Sequence, residues 1–277
     1  MANPITGFDP HDTYYELSHA VTNQFEGTIV LVHGVGLDHR MWDWQMTRLA
    51  SQFSVLRYDL FGHGQTPVDP GASKLAVFVQ QLKSLLDFLE IKPVHLVGFS
   101  LGALIAQLFA RHHGDRLASV TFMNGVYRRV DAELEGVRQR LALTVKHGAS
   151  ATVELAIERW FNAAFRSKHP DIMARVRERL LTNNLQGYVS AYSCFVNGDP
   201  EVGKALTTVT CPALAMTGED DVGSTPEMCH RMAADLVDAR VKVLPGLRHG
   251  APIEGAEVMS DLLLDFLAGV EDRPSMC

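Results

Sequence analysis

Two hydrophobic patterns alternate along most of this chain. Short, largely apolar runs at Thr28–Val32, Phe53–Tyr58, Val94–Val97, Leu117–Met123, Ala213–Thr217 and Arg240–Leu244 suit parallel strands covered on both faces. Thr13–Ser18 alternates more weakly and predicts one further strand. Between these runs, apolar residues recur at helical spacing over Met41–Ser51, Lys74–Leu89, Leu101–His113, Pro226–Leu236 and Gly255–Phe266. Strand–helix alternation of this kind predicts a doubly wound, mostly parallel sheet with right-handed crossovers.

The alternation stops after Tyr127. From there to about Leu206 the pattern reads as successive helices, at Ala132–His147, Ala151–Phe165, Pro170–Leu181 and Leu185–Phe195. The expected organisation is a core of residues 1–126 and 207–277, with a helical cap at 127–206 inserted before the last two core strands. An insert at that point lies over the carboxyl edge of the sheet, where ligands bind in such folds. No internal repeat or low-complexity tract is visible, and Glu271–Cys277 is expected to fray.

Composition narrows the function classes. At 277 residues, 47% hydrophobic and 21% charged, the chain suits one large α/β domain carrying an insertion. A net charge of −7 without a Lys/Arg run argues against a nucleic-acid or anionic-membrane partner. No apolar run reaches the roughly 18–20 residues of a membrane helix. Met1–Thr6 has neither the basic start nor the apolar core of a secretory signal. Four cysteines, Cys194, Cys211, Cys229 and Cys277, show no CxxC pairing. The expectation is a cytoplasmic protein with reduced thiols. Oligomeric state is not written in these features.

Candidate chemistry centres on Gly98-Phe99-Ser100-Leu101-Gly102, between a predicted strand and a predicted helix. A serine with glycines two positions away on each side suits a very sharp strand-to-helix turn, with the serine backbone strained. The new helix's N-terminus then favours negative charge developing beside the hydroxyl. A serine hydroxyl needs a base to become a nucleophile, and the base needs an acid to orient it. In this architecture the chain order is serine, acid, histidine. His249, in Leu247-Arg248-His249-Gly250-Ala251-Pro252 after the last predicted strand, is the candidate base. Gly218-Glu219-Asp220-Asp221 ends a strand and offers the acid; Asp221 is the first choice and Asp220 the alternative.

His33-Gly34-Val35-Gly36 also follows a core strand, and its glycines let backbone pass close to the nucleophile. The predicted oxyanion donors are the backbone N–H groups of Val35 and Leu101. His33 is expected to brace this loop, and His63, between Gly62 and Gly64, to serve a tight turn. His95, His112 and His113 read as structural or solvated. HxxxH, HExxH, HxH, GxGxxG and Walker spacings are absent from the sequence, so neither a metal nor a cofactor is expected.

Taken together, His33–Gly36, Tyr58-Asp59-Leu60-Phe61-Gly62-His63-Gly64, Gly98–Gly102, Gly218–Asp221 and Arg248-His249-Gly250 make the chain resemble the α/β-hydrolase superfamily over nearly its whole length. Some members place the acid after the preceding strand. Here that position is Asn124, an amide that cannot balance an imidazolium, which favours Asp221. Within the superfamily the chain is most similar to the 3-oxoadipate enol-lactonase and carboxylesterase branch. The features are His39-Arg40-Met41-Trp42, Arg57-Tyr58-Asp59 and Arg159-Trp160-Phe161. It departs from the lactonases after the nucleophile, with Leu101-Gly102-Ala103 where they usually read Met-Gly-Gly.

The resemblance implies the α/β-hydrolase fold and a cofactor-free serine hydrolase acting on a small carboxylic ester or lactone. Carbon–carbon bond hydrolysis, perhydrolysis and a slowly hydrolysing ligand receptor are the alternatives. Trp160, Tyr188, Tyr192 and Arg128 are the expected substrate contacts, with Phe161, Phe195 and Arg129 as further candidates. Aromatics at helical spacing equally suit cap core, and the arginines equally suit a solvated start to the cap.

Overall fold

The computed structural model describes residues 3–22, 25 and 27–272. Among these, eight strands form one sheet: β1 (Ile5–Phe8), β2 (Tyr14–Ser18), β3 (Thr28–Val32), β4 (Ser54–Tyr58), β5 (Val94–Phe99), β6 (Leu117–Met123), β7 (Ala213–Gly218) and β8 (Ala239–Leu244). Their order is β1-β2-β4-β3-β5-β6-β7-β8. β1 and β2 run antiparallel, and every pairing from β4 to β8 is parallel. β5 and β7 are buried along their whole length, which is why they read as unbroken apolar runs. β1 escaped the sequence pattern for the opposite reason. It is an edge strand with no buried residue, held to β2 by backbone pairing and by the edge-on contact of the Phe8 and Tyr14 rings at 5.4 Å.

Helices cover both faces. Leu75–Phe88, Leu101–His112 and Pro226–Asp235 share one apolar cluster, and Asp43–Leu49 and Ala256–Glu271 share the other. Leu101–His112 sits in the middle of the first, with Leu104, Ile105 and Phe109 at zero exposure. Each such side chain contributes roughly 1.5–3 kcal/mol by leaving water. Ala256–Glu271 extends further than the expected fraying allowed. Glu271 is its last residue, and its carboxylate pairs with His95 Nε2 at 2.8 Å, so burial of a partner orders that end. The rest of the expected frayed tail, from Arg273 onward, lies outside the described residues. No helix among the described residues is long and apolar enough to cross a membrane.

Between β6 and β7 the chain is helical: Asp131–His147, Val153–Trp160, Ala163–Lys168, Pro170–Leu181, Leu185–Asn197 and Asp199–Val202. The stretch Ala151–Phe165, read as one helix, breaks at Asn162. Its side-chain oxygen accepts the Phe165 N–H at 2.8 Å and starts a new helix there. Gly187 of this insert meets Gly62 of the core so closely that a methyl on either would collide with the other's backbone.

Candidate active site

β5 ends at Phe99, and Ser100 takes a left-handed backbone (φ 56°, ψ −111°) before the helix begins at Leu101. A Cβ on Gly98 would strike the carbonyl of Gly102, and one on Gly102 would strike the carbonyl of Val32. Those two absent side chains let the turn close, and the Ser100 N–H is fixed by the Met123 carbonyl at 3.0 Å. The strained serine is a single residue held by packed neighbours on both sides, the setting in which such strain persists.

The structure brings Ser100, His249 and Asp221 together although they are far apart in sequence. His249 Nε2 lies 3.2 Å from Ser100 Oγ, and His249 Nδ1 lies 2.7 Å from Asp221 Oδ2. Asp221 is 2% exposed, whereas Asp220 points its residue to solvent. Only the Asp221 carboxylate touches the histidine. It accepts four hydrogen bonds, from His249 Nδ1, Asn124 Nδ2 and the N–H groups of Gly223 and Ser224. Burial pushes its pKa up, but the His249 charge and these donors outweigh burial and hold it below the usual carboxylate value. Asn124, set aside as an acid, is therefore a donor to the acid. The phenyl ring of Phe99 and the indole of Trp160 lie 5.1 and 5.9 Å from the imidazole, centroid to centroid.

Opposite the serine, the loop after β3 is locked from two sides. His33 donates from Nδ1 to the Gly34 carbonyl at 2.8 Å and accepts the Leu60 N–H on Nε2 at 2.9 Å. His63 donates from Nδ1 to Phe61 O at 3.1 Å and accepts the Gly36 N–H at 3.0 Å. Burial keeps both rings neutral, pushing His63 down to about 3. Gly34 passes so near Phe99 and Ser100 that a Cβ would lie about 3.0 Å from the serine Cβ. The Val35 N–H makes no hydrogen bond among the described residues. The Leu101 N–H opens its helix and has no partner within it. From the insert, Asn183 Nδ2 donates to the Gly36 carbonyl at 2.8 Å, and the Trp160 carbonyl accepts the N–H of Gly250, beside His249, at 2.7 Å.

Just beyond this loop, His39 sits buried between Asp59 Oδ1, 2.7 Å from Nδ1, and Glu16 Oε1, 3.2 Å from Nε2. Burial favours the neutral ring, but the two carboxylates prevail and raise its pKa to about 9. Asp38, His39 and Asp59 offer ligand atoms within 4.8 Å of one another, yet Asp38 is already paired with Arg40 and Arg179. The cluster is an internal ion-pair network. A histidine raised in the folded state stabilises fully below its unfolded pKa of about 6.5, and that contribution fades as pH rises through about 9. Urea unfolding is expected to lose on the order of 2 kcal/mol from this source between those pH values. His39→Asn should flatten that part of the profile; an equal slope in the variant would show that His39 is not its origin.

Ser100 and His249 open into a cavity of about 220 Å³, small beside the roughly 300–1,000 Å³ of drug-sized sites. Trp160, Tyr188 and Tyr192 line it, as does Phe195. Arg128 does not: its guanidinium pairs with Asp235 at 3.0 Å on the surface, next to the Tyr127 ring. Arg128 is thereby removed from the expected substrate contacts, because a partner distant in sequence draws it outward. Arg129 reaches the cavity but is held by Asp199, 2.8 Å from Nε. Phe161 packs under Gly250 in the core instead. Two arginines that sequence reasoning missed, Arg140 and Arg159, line the cavity wall. The signal for Arg159 was its place beside Trp160; nothing local marked Arg140.

A strand–turn–helix serine beneath a helical insert, with a histidine and a buried carboxylate behind it, defines a hydrolase of the α/β type. Residues 29–262 match the Alpha/beta hydrolase family, and the chain belongs to it. It is 31% identical over 239 residues to the (E)-2-((N-methylformamido)methylene)succinate hydrolase of Acinetobacter baylyi, covering 86% of this chain and 89% of that protein. To 3-oxoadipate enol-lactonase 1 of the same organism it is 29% identical over 197 residues, 71% of this chain and 72% of the other. Its structure is similar to the enol-lactonase from Burkholderia xenovorans LB400, with a TM-score of 0.86 and 26% identity, covering 95% of this chain and all of that one.

Proposed function

We propose that the protein is a cofactor-free serine hydrolase that cleaves a small carboxylic ester or lactone. The observation that carries this reading is the unbroken chain Ser100 Oγ–His249–Asp221, at 3.2 and 2.7 Å, on a strained turn. His249 Nε2 takes the serine proton as Ser100 Oγ attacks the carbonyl carbon. The oxyanion so formed is held by the N–H groups of Val35 and Leu101, which have no other engagement. Asp221 accepts the Nδ1–H and stabilises the imidazolium. Collapse of the tetrahedral species breaks the carbon–oxygen bond, and His249 returns the proton to the departing oxygen. Water, deprotonated by His249, then frees the acyl group.

The segment 127–206 acts in this reading as a cap. Its Trp160 and Asn183 contacts tie it to the histidine loop and the oxyanion loop, so the site is complete only with the cap in place. Buried, unpaired Cys194 and Cys229 are in keeping with a cytoplasmic setting. A second reading, hydrolysis of an amide-type carbon–nitrogen bond on the same residues, draws on the relative named for a formamido-substituted succinate. A fluorophosphonate is expected to leave a stoichiometric adduct on the peptide containing Ser100. Short p-nitrophenyl esters and enol lactones should turn over, and an N-formyl enamine assayed beside them separates the second reading. No adduct and no turnover of any of these would overturn the proposal.

A further inference from the structure

The wall of the cavity carries more positive charge than the protein itself neutralises. Arg129 is matched by Asp199, and Glu133 by Arg231 at 2.7 Å. Asp221 is matched by His249. Arg140 and Arg159 remain, and neither has a carboxylate partner among the described residues. Among the described residues, Arg140 donates from Nε only to the Tyr192 hydroxyl, at 3.3 Å. The Arg159 side chain makes no hydrogen bond among the described residues, and its Nη1 is buried without a partner. A buried guanidinium donor left unmade is costly, more so with a second cation beside it. Burial, and then the charge of Arg140, push the Arg159 pKa down, so each cation works against the other.

We infer that these two arginines form a subsite for two carboxylates, so that the substrate is an ester or lactone bearing two free carboxylate groups beside its scissile carbonyl. The inference rests on the serine-hydrolase reading only for where the scissile bond lies. The guanidinium fork matches a carboxylate's two oxygens, and Arg159 has a whole fork unspent. Arg140 stands on the helix Asp131–His147 and Arg159 on Val153–Trp160. Two forks from separate helices suit two carboxylates on one carbon chain better than a single compact phosphate. The hydroxyls of Tyr188 and Tyr192, which line the same wall, supply further donors. With a dianion in place the paired charges in the cavity balance, and a small neutral ester would leave both arginines uncompensated.

Three phenyl esters with matched five-carbon acyl chains test this: pentanoate, with no free carboxylate, the glutarate monoester, with one, and the terminal tricarballylate monoester, with two. The kcat/KM should rise from the first to the third. Arg159→Met should cut the ratio of the third to the first by about 30-fold or more, the scale of a truncated buried charge pair. Arg140→Met, at a site less enclosed, is expected to shift the ratio the same way and keeps the test open if the first variant unfolds. A phosphorylated ester preferred over the tricarballylate, the glutarate ester as good as the tricarballylate ester, or ratios unmoved in both variants would overturn the inference. Calorimetry with glutarate and pentanoate makes a separate arm that needs no catalysis. Glutarate should bind the wild-type protein at least about tenfold more tightly, and weaken in Arg159→Met. Equal binding of the two acids would overturn the inference. If instead Ser100 takes no fluorophosphonate while glutarate still binds selectively, the subsite stands and the serine-hydrolase reading fails.

Discussion

Replacing Ser100 with alanine is expected to lower kcat toward a short p-nitrophenyl ester by about 10⁴–10⁶, the loss seen when a triad nucleophile is removed. What remains should be the slow reaction supported by the oxyanion donors and by substrate positioning. The fold should be nearly untouched. The serine hydroxyl bonds His249 Nε2, and its backbone N–H, held by the Met123 carbonyl, is kept in the variant. Alanine therefore leaves no group without a partner apart from an accepting ring nitrogen, His249 Nε2, which faces the cavity. A thermal midpoint within a few degrees of wild type is the expected control, since about 1 kcal/mol moves it by only roughly 2–4 °C in a chain of this size. Loss of the fluorophosphonate adduct should accompany the loss of turnover. Retained turnover in this variant would remove Ser100 from the mechanism.

Asp221→Asn should be nearly as damaging, at about 10³–10⁴ in kcat, and for a different reason. The Asn side chain can keep its oxygen on the N–H groups of Gly223 and Ser224, where Asp221 Oδ1 now accepts. Its amide nitrogen then faces His249 Nδ1 as a donor. That forces the proton onto Nε2, which points at Ser100 and can no longer accept from it. Asn124 makes the exchange worse, because its Nδ2 also donates to the replaced oxygen and would meet another N–H. Steady-state kinetics should therefore show the loss in kcat with substrate binding less affected. Little change in kcat would mean that the carboxylate only holds the loop.

The grouping of Ser100, His249 and Asp221 was foreshadowed in the sequence because each residue sits in a local signature. A glycine on either side marks the serine, a strand end marks the acids, and a loop before the final helix marks the histidine. The choice between Asp221 and Asp220 was less open. Adjacent residues at a strand end point in different directions, and which one meets the imidazole depends on how β7 and the loop after β8 lie together. Asn124 shows the same limit from the other side. Its residue type argued against one role and hid another, since its donor bond to Asp221 spans 97 positions.

The arginines mark the boundary most clearly. Arg128, Arg129, Arg140 and Arg159 are alike in the chain, each a cation in a helical or turn-like stretch. Whether one is available to a ligand is decided by acids 107 and 70 residues away, Asp235 for Arg128 and Asp199 for Arg129. No local pattern carries that information. The alternation of strands and helices, the sharp turn at Ser100 and the place of the insert follow from short-range rules of periodicity, backbone sterics and chain order, so the amino-acid sequence by itself determined them. Which carboxylate backs His249, and which two cavity arginines have no carboxylate partner among the described residues, were decided only by the tertiary structure. Charge neutralisation and hydrogen-bond satisfaction depend on distance in space, and the fold alone sets those distances.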